Sequence, residues 1–140
     1  MNKTIYRQYD SRWGSKAYPK GSTMSGCGCG VCACTHVAME QERYRNWTPE
    51  NLRQWMINQG FAVKGKGTLW EGITQTLKHI GHTSVVRIYS DPMTSAWKEL
   101  NKGNRIGVLL FSSGKAPDGT AFTSAPFEPF FTTLLGSEPL

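Results

Sequence analysis

The sequence is poor in several things, and each shortage removes a class of explanation. Acidic residues are few: ten Asp and Glu stand against sixteen Lys and Arg in 140 residues, a formal net charge of +6 with a pI near 9.3. That excess favours an acidic partner without naming one. The basic residues are scattered, densest at Arg43 and Arg45 and at Lys64 and Lys66. No Lys/Arg run interleaves with aromatics as a single-strand groove requires, so the pattern argues against nucleic acid. No apolar run approaches the ~18–20 residues that span a bilayer, and no membrane partner is expected. Behind the basic residues of the segment Met1 to Arg7 there is no apolar stretch, so no signal peptide is expected and the default compartment is the cytoplasm. Cysteine is confined to Cys27, Cys29, Cys32 and Cys34. Thiols crowded into so short a segment cannot staple a fold, and in a reducing compartment they serve catalysis, metal binding or packing. Histidine occurs at His36, His79 and His82 only, which narrows the choice of a general base.

What is there suffices for one core. With 39% hydrophobic and 11% aromatic residues, a chain of this length buries about two-thirds of its unfolded surface. Residues 1–24 hold Tyr6, Tyr9, Trp13 and Tyr18 with neither helical nor strand period, and read as an extended arm anchored by aromatics. The spacing of Val31, Cys34, Val37 and Ala38 predicts a first helix from about Gly28 to Tyr44. Thr48-Pro49 predicts a second, capped by the threonine, with Leu52, Trp55 and Met56 inward and a stop at Gly60. Phe61 and Val63 then return to the core. Thr68-Leu69-Trp70-Glu71 reads as a capping box opening a third helix, with Leu69, Ile73, Leu77 and Ile80 on one face and Gly81 ending it.

Ser84 to Ile88 reads as a short strand, and Ser90-Asp91-Pro92 opens a fourth helix carrying Met93, Ala96, Trp97 and Leu100 up to Gly103. The apolar run Ile106–Phe111 predicts a strand covered on both faces, followed by a turn at Pro117-Asp118-Gly119 and a strand at Thr120–Thr123. Helices first and strands later is an α+β order. After Ser124 the character changes: Ala125 to Leu140 holds Pro126, Pro129 and Pro139, three phenylalanines and no Lys or Arg. The reading is one domain over 1–124 and an atypical tail over 125–140 that is not a strand.

The segment Ser25-Gly26-Cys27-Gly28-Cys29 is the densest chemistry in the chain. A nucleophilic thiol needs its thiolate favoured, and the positive end of a helix supplies field and backbone donors for that. Cys27 sits where such a helix begins, with glycines that let the backbone pass tightly and an N–H placed to meet a substrate carbonyl. Cys29 has a similar frame between Gly28 and Gly30, so on pattern alone either is the thiol. Cys32 and Cys34, inside the helix, are simplest as small hydrophobes.

Three motifs stand in order: Tyr6-Arg7-Gln8-Tyr9-Asp10-Ser11-Arg12-Trp13-Gly14, Ser25-Gly26-Cys27-Gly28, and Gly67-Thr68-Leu69-Trp70 at a helix start. Together they resemble the bacteriocin-leader (double-glycine) peptidase-like family of papain-type cysteine peptidases, over residues 4 to about 123. The resemblance implies a papain-like α+β fold, with a helix carrying the cysteine packed on a small antiparallel sheet, and cleavage of peptide or amide bonds without a cofactor. It matches Cys27 to the nucleophile and places Trp13, Gly26, Gly28 and Trp70 along the substrate site. It further implies a Gly-Gly-His segment after the Thr120–Thr123 strand. In its place stands Ala125-Pro126-Phe127-Glu128-Pro129, where Glu128 is the sole titratable group. The match therefore covers about the first two-thirds of a family domain, without the catalytic His or its Asp/Asn partner.

The histidines do not replace it by position. His36 lies nine residues beyond Cys27, about 13 Å along a helix and on the opposite face. From Cys29 it is on the same face but still about 10 Å away, beyond the ~3 Å a base requires. His79 and His82 flank the end of the third helix. Three classes of function remain in competition. One is a peptidase or amidase impaired by its missing base, acting on a peptide or protein. Another is a catalytically dead module that binds one. The last is an inhibitor from a phage or mobile element that meets a host complex through its basic surface. Zinc held by Cys29, Cys32 and His36 is the main rival for the cysteines, though no second cysteine pair exists to complete it, and no metal is expected. A thioredoxin-like role for Cys29 and Cys32 lacks the preceding βαβ pattern. Oligomeric state is left open.

Overall fold

Small side chains without proline let residues 29–38 wind into a helix, and nearly all of them end up inside. The computed structural model describes residues 4–85, 98, 100–102, 106–111, 113–115, 121–123 and 130–135. Its elements are α1 (Met24–Cys27), α2 (Cys29–Ala38), a 3₁₀ turn (Glu42–Tyr44), α3 (Pro49–Asn58), β1 (Ala62–Val63), β2 (Gly67–Thr68), α4 (Trp70–His79), β3 (Ile106–Phe111), β4 (Ser113–Lys115), β5 (Ala121–Thr123) and β6 (Phe130–Leu135). Helices combine with small antiparallel two-stranded sheets, one of them a hairpin between α3 and α4, so the α+β class holds. Between Cys29 and Ala38 only Cys29 and His36 are not buried. A helix buried on almost every side is a core element rather than a surface one. Accordingly α3, α4, β2, β3 and β6 all pack on α2.

Helix α2 is shorter than its periodicity suggests. It ends at Ala38, and Gln41 is extended, so Glu42–Tyr44 forms a separate 3₁₀ turn. The reason lies across the molecule. Gln41 donates its side-chain amide to the Ile80 carbonyl at 2.6 Å, and Arg43 donates to the same oxygen at 3.2 Å. Both bonds satisfy a carbonyl that the end of α4 leaves without a helical partner. The start of α3 is as expected, with Thr48 as N-cap and Pro49 in the first turn, and the box is closed by the Asn51 side chain. The α4 start is not: its N-cap is Leu69 without a side-chain bond, because Thr68 turns inward to Tyr18. Leu69, expected inward, is 46% exposed, whereas Ile73 and Ile80 are buried.

The arm folds as consecutive turns, not as an extended strand. Trp13 and Gly14 both donate main-chain N–H groups to the Asp10 carbonyl, and the Trp13 indole donates to the Arg7 carbonyl at 2.8 Å. Trp13 and Tyr18 are core residues, whereas Tyr9 is exposed. Strand β3 forms where the apolar run predicts it, and β5 matches the second predicted strand but pairs with β4. The tail departs from expectation: Phe130–Leu135 is a strand, β6, paired antiparallel to β3 from Phe111↔Phe130 to Ile106↔Leu135. Ser84 and Val85 are not in a strand, while Leu100 is helical and buried. The expected turn at 117–119, Glu128, and the remainder of the predicted 84–88 strand and fourth helix lie outside the described residues.

Candidate functional site

The turn that carries Cys27 is built from main-chain bonds and held from two sides. Thr23 opens α1: its carbonyl accepts from Gly26 at 3.2 Å and from Cys27 at 2.9 Å, and its hydroxyl also accepts from Gly26. Gly28 then closes α1 and caps α2 in one residue. A Cβ there would lie 2.7 Å from the Met24 carbonyl oxygen and 2.8 Å from the Met24 sulfur. Gly28 is thus a packing glycine, buried against Met24. On the opposite side Gly67 meets the Cys27 carbonyl, where a Cβ would approach to 3.0 Å, and its φ of +93° suits glycine in any case.

Gly26 is different. It is exposed, and a Cβ built on it meets nothing nearer than the Thr23 hydroxyl at 3.8 Å, so the space beside Cys27 is open on that face. Cys27 and Cys29 are both partly buried. The arm supplies a residue that sequence reasoning missed. Gln8 donates its side-chain amide to the Ser25 carbonyl at 2.7 Å, which puts a side-chain donor beside the turn two residues ahead of Cys27. Its place in the Tyr6–Asp10 arm motif was the available signal. Ser25 is fixed further by its own N–H, which donates to the Gly14 carbonyl at 2.9 Å.

Behind the turn the polar atoms are enclosed. The Tyr18 hydroxyl lies 2.7 Å from the Thr68 hydroxyl and 3.4 Å from the Met56 sulfur. Burial raises the Tyr18 pKa above that of an ordinary phenol, and the Cys34, Cys29 and Cys27 thiols add to the rise. Burial also pushes the Cys32 thiol up to about 12, with Cys29 and Asp10 adding to it, and raises Cys34 by desolvation alone. These two are neutral thiols at physiological pH, suited to packing rather than to attack on a carbonyl.

The remaining expected site residues divide. Trp13, expected along the substrate site, is 1% exposed and belongs to the core. Trp70 is partly buried at the first turn of α4. His36 turns to the arm: its Nε2 accepts the Tyr6 N–H at 2.9 Å, and burial holds its pKa below the ordinary value. His79 stacks on Trp55, with centroids 4.1 Å apart. His82 is partly desolvated, which lowers its pKa, and its Nε2 is enclosed without a hydrogen-bond partner among the described residues. Among the described residues no three His, Cys, Asp or Glu side chains gather into a group able to hold a metal. For the zinc alternative the bond to Tyr6 matters, because it occupies the ring nitrogen that a metal would need. No helix among the described residues is long and apolar enough to cross a membrane.

Set beside known proteins, the chain matches no family model, no curated protein and no solved structure.

Proposed function

We propose that the chain is a papain-type cysteine-peptidase-like domain whose nucleophile is Cys27, acting on peptide or amide bonds with turnover impaired by the want of a base. The observation that carries this reading is the Cys27 turn. Cys27, partly exposed, sits between open space at Gly26 and the start of the buried helix α2, with the Gln8 amide on the Ser25 carbonyl two residues before it. The first N–H groups of a helix have no partner within it. The positive end of α2 and the second hydrogen of the Gln8 amide are of the kind that stabilise the oxyanion formed when a thiolate attacks a carbonyl, while the Cys27 and Gly28 N–H groups are spent on the Thr23 and Met24 carbonyls. The packing of α2 against β3 and β6 supports the papain-like arrangement of a cysteine-bearing helix on a small antiparallel sheet.

The histidines support impairment. In a thiol peptidase a base takes the thiol proton and returns it to the leaving amine. His36 spends its ring nitrogen on Tyr6, and His79 is stacked on Trp55. Those engagements also favour the second reading, a module that keeps the cleft and holds a peptide or host protein without cutting it, as an inhibitor of a host complex does.

Alkylation of the native protein by iodoacetamide near neutral pH, followed at each cysteine by mass spectrometry, tests the nucleophile. Cys27 is expected to react first and Cys32 and Cys34 last. If Cys27 and Cys29 react no faster than Cys32 and Cys34, Cys27 is not the nucleophile. Peptide turnover that is slow and lost in Cys27→Ala supports the impaired enzyme. Peptide binding without turnover in either protein supports the second reading.

A further inference from the structure

Three exposed lysines stand on two loops that are tied together, one of which reaches the Cys27 turn through Gly67. Lys20 belongs to the turn Pro19–Ser22, and Lys64 and Lys66 flank Gly65 in the hairpin between β1 and β2. The loops meet at two points. The Gly65 N–H donates to the Ser22 hydroxyl at 2.6 Å. The Lys64 side chain lies over Gly21, with its Cε 2.9 Å and its Nζ 3.4 Å from where a Cβ on that glycine would stand. Lys66 immediately precedes Gly67, the residue against the Cys27 carbonyl.

The carboxylates of this part of the molecule are engaged elsewhere. Asp10 pairs with Arg12, Glu50 with both Lys16 and Arg53, and Glu71 accepts from Gln75 at 2.7 Å. No carboxylate pairs with Lys20, Lys64 or Lys66 among the described residues. Three like charges on two joined loops, without counter-charge, produce a local positive potential of the order of kT or more. At physiological salt that potential reaches about 8 Å.

We propose that Lys20, Lys64 and Lys66 form a cationic rim on the β1–β2 side of the Cys27 turn, and that the rim holds an acidic stretch of the peptide presented to Cys27. This rests on the reading of Cys27 as the nucleophile and names the substrate class that reading leaves open. A peptide fits better than a nucleic acid because the rim borders a thiol suited to carbonyl chemistry. Its lysines also alternate with glycine rather than with the aromatic platforms on which bases stack.

Two thiol reagents of equal reach and different charge test it, applied to the full chain and followed at Cys27 by mass spectrometry. Iodoacetate is an anion and iodoacetamide is neutral, so the ratio of their rates reads the potential at the sulfur. A potential of about 1 kT changes that ratio about threefold. The variant K20Q/K64Q/K66Q is expected to lower the ratio at Cys27 about threefold or more. A control that removes the same charge elsewhere, R45Q/K78Q/K98Q, is expected to leave it unchanged. The difference should shrink between ~10 mM salt, where the screening length is about 30 Å, and ~0.15 M. A ratio that is equal in the two variants, or indifferent to salt, overturns the rim.

Pentaglutamate should slow iodoacetamide at Cys27 in the native sequence and not in the rim variant. Protection by an oligothymidylate of equal charge without protection by pentaglutamate overturns the peptide assignment. The iodoacetamide rate on its own judges whether Cys27 is an activated nucleophile, so failure of that reading and failure of the rim appear in different numbers. Thermal melts of both variants check that the substitutions, all at exposed positions, leave the fold intact.

Discussion

Gly67 joins the hairpin to the thiol turn, and a single methyl group tests how tightly. Its φ of +93° is one that L side chains rarely adopt, and an added Cβ would stand 3.0 Å from the Cys27 carbonyl oxygen. Gly67→Ala therefore forces either a strained backbone, at about 1–3 kcal/mol, or a shift of the turn. Urea unfolding should show a loss in that range, and alkylation of Cys27 should change rate while Cys32 and Cys34 stay protected. A variant as stable as the parent, with Cys27 reacting as before, would show that the contact is loose. At this scale the cysteine turn itself was legible, because Gly-Cys-Gly before a helix is a local pattern. The residues that hold it were not. Gln8 reaches Ser25 across seventeen positions and Tyr18 reaches Thr68 across fifty, and no local periodicity encodes such pairs. Trp13 misled for a related reason, since an aromatic in an aperiodic arm can face solvent or core, and only the turn at Asp10 sends it inward.

Among the elements, ends that depend on neighbouring residues were legible and ends set by distant partners were not. Thr48, Pro49 and Gly60 mark α3 from the sequence alone. The stop of α2 was hidden because Gln41 and Arg43 leave the helical path to reach the Ile80 carbonyl, on an element nearly forty residues away. The docking of the arm on α2 has a consequence in pH. His36 accepts the Tyr6 N–H and burial lowers its pKa, so its neutral form is favoured by folding. The unfolded chain, whose histidines titrate near ~6.5, then binds protons that the folded state refuses. Stability is full above that unfolded value and falls as pH drops from it toward the lower folded one. Melting temperatures should decline between about pH 7 and pH 5, and exchange of the Tyr6 amide should quicken over the same interval. His36→Gln keeps an acceptor without a titrating proton and should flatten part of the decline, leaving the part of the same sign that belongs to His82. Parallel melting curves for the two proteins would dissociate the Tyr6–His36 bond from the pH response.

For the whole molecule the decisive departure from sequence reasoning is β6. Three prolines and three phenylalanines made residues 125–140 look foreign to the domain, yet Phe130–Leu135 pairs with β3 along its length and packs with it on α2. Composition misleads here because it averages over a segment, whereas a strand needs only a few consecutive residues free of proline. Helix α2 is buried on nearly every side, so without β6 one of its faces and one edge of β3 lose their cover. A chain ending at residue 124 is therefore expected to unfold over a broader, less cooperative transition and to bind a hydrophobic dye that the full chain excludes. Deletion alone does not separate pairing from mere mass, and two proline variants do. Thr132 stands opposite Leu109 and Thr133 opposite Val108. In an antiparallel ladder, neighbouring residues alternate between donating to the partner strand and pointing away from it. Proline at the position that donates to β3 removes a ladder bond, whereas at the other it removes none of that pairing. Thr132→Pro and Thr133→Pro should thus differ clearly in denaturant midpoint. Equal midpoints, or a truncated chain that melts as the full one does, would make β6 an accessory and return the fold to residues 1–124.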